Sequence, residues 1–333
     1  MSGSKNKIAI LDIARGACAL IVALYHFLYF SSPHGTLFEL NNPVISTIGP
    51  YMPGIVCVFF LISGYVLFLH LERNHYALSD LPRFLLKRVI RLHVPLIACI
   101  LLILSINTIF QLHAGLPIQI SWSQLLANVT LSANFVGEAW YNPIFWTLAI
   151  EFQFYLFIGL LFPLIRKAPF PWLLALGVAA LIANIYFDLQ GTLVEFGSYF
   201  TIGIAMYLLH QKRMHWIELF LLVLIGITDF YLNQKVSYFL LSVLFIPIIS
   251  FVSFRSKWLE FAGDISYSFY LIHGAVGGLF LYFTARHVDQ LWLKIVLFVS
   301  AIFISYATAY VFYLLFEKTS ARWGRYISYK RSA

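Results

Sequence analysis

The sequence predicts an all-α, polytopic membrane protein, and three observations carry that prediction. Of 333 residues, 61% are hydrophobic and 11% are charged, whereas soluble domains run near 25% charged. With a mean hydropathy of +0.84, the apolar surplus exceeds what a core of this size can hide, so it must face lipid. Apolar segments of roughly 17–25 residues, each able to cross the hydrocarbon as a helix, recur along the chain. Finally, Lys and Arg are segregated between alternate connections, the pattern that orients membrane proteins.

Ten spans are expected, at about 8–30, 52–70, 94–112, 143–165, 172–188, 192–210, 216–232, 236–254, 265–285 and 291–316. The first is too long for a secretory apolar region, contains Arg15, and meets no small-residue cleavage site at Ser31-Ser32-Pro33, so it is expected to persist in the mature protein. The connection 71–93 places Leu81, Phe84, Leu85, Val89 and Leu92 at helical spacing among basic residues, which predicts an amphipathic interfacial helix that turns into the third span near Pro95. The connections 31–51 and 113–142 lack Lys and Arg. They read as plain loops, with a lid or re-entrant wall as the alternative. With the N-terminus inside, 18 of the 22 Lys and Arg residues fall on the cytoplasmic face. An even number of spans returns the C-terminus to that face, giving an N-in/C-in topology. One membrane domain, 1–333, is expected, with 319–333 as a basic cytoplasmic tail.

Several function classes drop out. The net charge of +8 belongs to this topology rather than to a nucleic-acid partner, because no basic run is interleaved with exposed aromatics. Cys18, Cys57 and Cys99 lie inside apolar runs and read as core residues, without a disulfide framework or a soft-metal cluster. No metal site and no bound cofactor are expected. Nucleophile elbow, zinc-protease, phosphate-loop and dinucleotide-binding motifs are absent, and Gly16, Gly54, Gly64 and Gly203 read as close-packing positions between helices.

Ionisable groups inside spans are costly and mark function by default. Four occur: Arg15, His26, Glu151 and His273. Arg15 and His26 are eleven residues apart, about 20° past three full helical turns, so they share one face at depths differing by about 16 Å. Such a stripe suggests a cavity running into the membrane, and imidazole is suited to accept a hydroxyl proton near neutral pH. Glu151 needs a cation or donor and reads equally as functional or as scaffold. His273 reads as a packed, hydrogen-bonded helix residue. Arg88 and Arg91 are helix neighbours beside Lys87, a cluster suited either to phosphates or to anionic lipid.

Five motifs in series resemble the acyltransferase-3 family of integral membrane acyltransferases. They are Leu11-Asp12-Ile13-Ala14-Arg15-Gly16 with His26-Phe27; Phe59-Phe60-Leu61-Ile62-Ser63-Gly64-Tyr65; Lys87-Arg88-x-x-Arg91 ahead of Pro95; Trp146-Thr147-Leu148-x-x-Glu151-x-x-x-Tyr155; and Gly263-x-Ile265-Ser266-Tyr267-Ser268-x-Tyr270-Leu271-Ile272-His273. The resemblance covers residues 8 to about 318. It departs from the family in three places: Pro95 lies four residues after Arg91 rather than three, Thr147 stands for serine, and the closing Glu-Lys/Arg-Pro is here Glu317-Lys318-Thr319. The chain contains no fused hydrolase-like domain, so a second transfer step within it is not expected.

The resemblance implies transfer of an acyl group, usually acetyl, from cytoplasmic acyl-CoA as co-substrate to a hydroxyl of a carbohydrate-type acceptor, in a bacterial inner membrane. It maps the family's essential helix-1 pair onto Arg15 and His26 and its basic motif onto Arg88 and Arg91. The expected roles are then His26 as base, Glu151 as its orienting carboxylate, Arg88, Arg91 and Lys87 as the donor-phosphate site, and Ser63, Tyr65 and Trp146 as cavity lining. An acyl-histidine intermediate is open as an alternative to direct transfer. The rival class is a secondary transporter or a flippase of lipid-linked sugars, which also carries buried charges but typically shows paired inverted repeats.

Overall fold

The computed structural model describes residues 2–29, 51, 54–233, 236–252, 254–285 and 288–329. Among these residues the regular elements are helical and there is no strand. In chain order they are α1 (Ser2–Tyr29), α2 (Val56–Arg73), α3 (Leu81–His113), α4 (Trp122–Val129), α5 (Ala133–Val136), α6 (Phe145–Lys167), α7 (Pro169–Tyr186), α8 (Leu193–His210) and α9 (Trp216–Leu232). There follow α10 (Val236–Val243), α11 (Phe245–Phe251), α12 (Lys257–Asp264), α13 (Ser266–His273), α14 (Leu279–Thr284), α15 (Leu291–Phe312) and α16 (Lys318–Tyr326). π-Helical turns at Gly274–Gly278 and Tyr313–Glu317 join α13 to α14 and α15 to α16.

Among the described residues, seven segments are long and apolar enough to cross a membrane: Ala9–Tyr29, Val56–Arg73, Leu78–His113, Phe145–Lys167, Pro169–Tyr186, Leu193–His210 and Leu291–Tyr326. The pair Lys257–Asp264 and Ser266–Thr284, bent by 56°, makes an eighth if taken as one broken span. Of the ten expected spans, the remaining two are the 17-residue α9 and the divided pair α10 and α11, of 8 and 7 residues. The expected loop 31–51 lies, apart from Tyr51, outside the described residues.

The stretch 71–93 departs from expectation. It holds no separate interfacial helix: after a 3-10 turn at Leu78–Asp80, α3 runs unbroken for 33 residues with Pro95 inside it. Proline removes a backbone donor and disturbs the preceding turn, which a membrane helix tolerates when a neighbour re-satisfies the freed groups. Pro95 leaves the Arg91 carbonyl without its intrahelical donor, and at the next carbonyl, that of Leu92, the Tyr267 hydroxyl donates at 2.9 Å.

Outward-facing Leu101, Leu160, Ile182 and Phe303 are exposed, forming the lipid-facing surface that the hydropathy required. Inward faces fill one continuous core in which Phe27, Phe68, Phe84, Phe154 and Phe200 are fully buried. The tightest crossing is α2 on α8, where a Cβ at Gly64 would strike the Phe200 carbonyl and one at Gly203 the Leu61 carbonyl. The helices therefore touch backbone to backbone, as small residues permit between membrane helices. Gly203→Ala is expected to lower stability by about 1–3 kcal/mol through overpacking. Thermal unfolding of the detergent-solubilised protein measures this, and an unchanged transition would show that the crossing has slack.

Polar contacts fix the remaining joints. Glu72 at the end of α2 accepts from the Tyr207 hydroxyl at 2.7 Å and pairs with Arg213, which also donates to the Arg166 carbonyl at 2.9 Å. The 113–142 connection contains α4 and α5, and the buried Asn128 ties it together: its amide donates to the Ala139 carbonyl and its oxygen accepts from the Tyr141 N–H, both at 2.9 Å.

Candidate active site

Two neighbouring cavities among the described residues bear on function. One, of about 130 Å³, is lined by Arg15, Arg88, Arg91, Glu151 and Tyr155 among others. The second, of about 600 Å³, is lined by His26, Tyr25, Asn107, Asn142, Trp146 and Tyr282 among others. Val56 and Tyr270 line both and form the partition. The Arg15–His26 stripe of α1 thus runs from one cavity into the other.

The first cavity is cationic. Arg88 packs its guanidinium over the Phe84 ring at 5.4 Å and the Tyr155 ring at 5.6 Å, and its Nε is buried without a hydrogen-bond partner among the described residues. A buried guanidinium N–H without an acceptor is costly, and guanidinium presents donors in the geometry that phosphate oxygens fill. Arg91, one turn on, and Arg15 from α1 complete the lining. Arg15 stands 3.9 Å from Asp12 of its own helix. Glu151 belongs to this cavity rather than to the imidazole: Oε1 accepts from Tyr155 at 2.6 Å and from Ser63 at 3.3 Å.

His26, on the wall of the second cavity, is backed by a second histidine that sequence reasoning missed. His26 Nδ1 and His273 Nε2 are 2.8 Å apart, with the rings stacked at 14° and centroids 5.0 Å apart. Helix α13 determines the protons. His273 Nδ1 is 2.7 Å from the Tyr270 carbonyl, which only accepts, so Nδ1 carries the hydrogen. In the neutral ring Nε2 is then the acceptor, His26 Nδ1–H is the donor, and His26 Nε2 keeps its lone pair on a ring that lines the cavity. His273 is fully buried and was read as a packed helix residue. It is packed and hydrogen-bonded, but its second nitrogen fixes the tautomer of His26. The signal available was weak: one more histidine in an apolar span, 247 residues away along the chain.

The wall between the cavities is a closed hydroxyl pair. Thr147 Oγ1 donates to the Ile144 carbonyl at 2.8 Å and meets the Tyr270 hydroxyl at 3.0 Å, so Tyr270 is the donor between them. The 113–142 connection supplies a side of the second cavity through Tyr141 and Asn142. Asn142 donates to the Leu271 carbonyl at 3.1 Å, fastening this wall to α13. A lid or re-entrant wall was the alternative reading of that connection, and its last residues serve as wall.

The other expected site residues divide. Ser63 lines the cationic cavity and Trp146 the histidine cavity. Tyr65 points to α8, with its hydroxyl 3.1 Å from His210 Nδ1, because residues two apart on a helix do not share a face with Ser63. Lys87 turns to the C-terminal segment, its Nζ 4.4 Å from the centre of the Tyr329 ring. Burial pushes the Tyr329 phenol above its ordinary range while the Arg88 guanidinium pulls the other way, and the phenol lies 3.2 Å from His70 Nε2.

An all-helical bundle of long apolar helices that expose hydrophobic side chains on their outer faces is that of a multi-pass membrane protein. Residues 8–314 match the profile of an acyltransferase domain, and the chain belongs to the acyltransferase-3 family. It is a membrane acyltransferase. No curated protein and no solved structure matched the chain.

Proposed function

We propose that the protein transfers an acyl group, acetyl in the simplest case, from cytoplasmic acyl-CoA to a hydroxyl of a carbohydrate-type acceptor, such as a lipid-linked or cell-surface polysaccharide. The observation that carries this reading is the junction of the two cavities at Val56 and Tyr270, with three arginines on one side and the histidine pair on the other. The donor's phosphates sit against Arg88 and Arg91, its pantetheine arm follows the Arg15 stripe, and its thioester passes Tyr270 towards His26. Ten spans, both termini cytoplasmic and a bacterial inner membrane complete the reading, supported by the 18 of 22 basic residues on one face.

In the reaction His26 Nε2 takes the acceptor hydroxyl proton as the oxygen attacks the thioester carbonyl. The resulting imidazolium donates through Nδ1 to His273 Nε2, which disperses its charge as the third member of a catalytic triad does. Collapse breaks the C–S bond, and the departing thiolate takes the proton from His26. General-base catalysis of this kind contributes about 10²–10⁴-fold. Glu151 is assigned to the donor cavity, where it holds Tyr155 and Ser63 in place beside Arg88.

Purified protein supplied with acetyl-CoA and a membrane extract containing the endogenous acceptor is expected to release CoA thiol in step with labelled acetyl incorporation. Movement of a labelled glycolipid across vesicles without thiol release would establish the transporter reading instead. Comparing surface-glycan O-acetylation in cells with and without the protein identifies the acceptor.

A further inference from the structure

The closing Glu317-Lys318-Thr319 has no part in the transfer reaction described above, yet Glu317 is buried at 7% exposure beneath α13. It lies in the π-helical turn Tyr313–Glu317. Its Oε2 accepts the backbone N–H of Ser268 at 3.1 Å and the Ser268 hydroxyl at 2.6 Å. Ser268 is the third residue of α13, just past the 56° bend, where a helix presents backbone donors without intrahelical acceptors. A carboxylate there satisfies a first-turn N–H and complements the helix dipole.

Helix α13 is only eight residues long, so its N-terminal anchor and His273 at its other end are separated by little more than one turn. Between them, Tyr267 donates to Leu92 and Tyr270 closes the partition with Thr147. We infer that Glu317 is the positioning residue of the histidine pair: by capping Ser268 it sets the height and rotation of α13, and with them the seat of His273 against His26. The inference rests on the proposed role of that pair. Glu317 also lies within electrostatic reach of Arg91 and Arg15, so geometry and charge must be separated experimentally.

The test compares Glu317→Ala, Glu317→Gln and Glu317→Asp in membranes carrying the endogenous acceptor, with radiolabelled acetyl-CoA as the probe. Glu317→Ala is expected to lower kcat on the order of 10²-fold, the effect of misplacing a catalytic group by about 1 Å, with the apparent KM for acetyl-CoA unchanged. Glutamine keeps an oxygen that reaches Ser268 and is expected to restore most of kcat; aspartate keeps the charge but is one methylene too short and is expected to stay impaired. If the alanine variant fails to accumulate, the glutamine and aspartate pair decides alone. An active aspartate with an inactive glutamine, or a raised KM at normal kcat, would overturn the inference in favour of a charge opposite the arginines. His26→Ala and His273→Ala run alongside: full activity in both removes the reading of the pair itself, whereas their loss beside unaffected Glu317 variants removes only the role of Glu317.

Discussion

His26→Ala is expected to reduce acyl transfer to background, a loss of about 10²–10⁴-fold, while the folded protein persists in the membrane. The side chain lines its cavity without carrying the core around it, since the neighbouring Phe27 and Val22 do that packing. The loss of stability is therefore expected to stay within about 1–3 kcal/mol, the cost of leaving the buried His273 Nε2 without its donor. His273→Ala is expected to fall short of His26→Ala but in the same direction. It leaves the proton acceptor in place and removes the group that fixes its tautomer and accepts from Nδ1 when charge develops. Labelled acetyl incorporation measures both. Wild-type activity in His26→Ala would remove the imidazole from the mechanism, and wild-type activity in His273→Ala would reduce the pair to packing.

Arg88→Glu is expected to raise the apparent KM for acetyl-CoA by roughly 10- to 10²-fold, the equivalent of one lost charge-assisted hydrogen bond of about 1.5–3 kcal/mol. Like-charge repulsion from Glu151, which lines the same cavity, deepens the effect. Arg88→Lys keeps the charge but loses the planar fork, and is expected to fall between the two. An unchanged KM, together with loss of the wild type's stabilisation by anionic lipid, would assign the cluster to headgroup anchoring. Lys87→Ala is a useful contrast: its ammonium lies over Tyr329 outside the cavity lining, so little change in KM is expected.

What the sequence made legible follows from how local each signal is. The Arg15–His26 phase is a property of a single helix, and the structure keeps both side chains on cavity walls. Arg88 and Arg91 are likewise one turn apart on α3. The partner of His26 is a tertiary fact: α1 and α13 meet only in the folded bundle, and no periodicity announces it. The partner of Glu151 from across the bundle is a fact of the same kind: the Ser63 hydroxyl that donates to it comes from another helix. Two misplacements were avoidable. Ser63 and Tyr65 are about 200° apart on a helix, and Lys87 is about 100° from Arg88, so neither pair shares a face. The expected spans and the helices long enough to cross by themselves differ where helices break, at the 56° bend before α13 and at the α10–α11 division. Hydropathy averages over such breaks, whereas the backbone does not.

The partition at Val56 and Tyr270 has a kinetic meaning on the proposed reading. With a seat on each side of one wall, donor and acceptor are held at the same time, so neither product must leave before the second substrate arrives. Initial-rate lines at varied donor and acceptor concentrations then intersect rather than run parallel, and a covalent acyl-enzyme becomes unnecessary. The wall also bounds the loss of activated acyl groups. Water on the donor side is separated by that wall from the imidazole nitrogen to which the reading gives the base's role, and the carboxylate on its own side, Glu151, is already engaged by Tyr155 and Ser63.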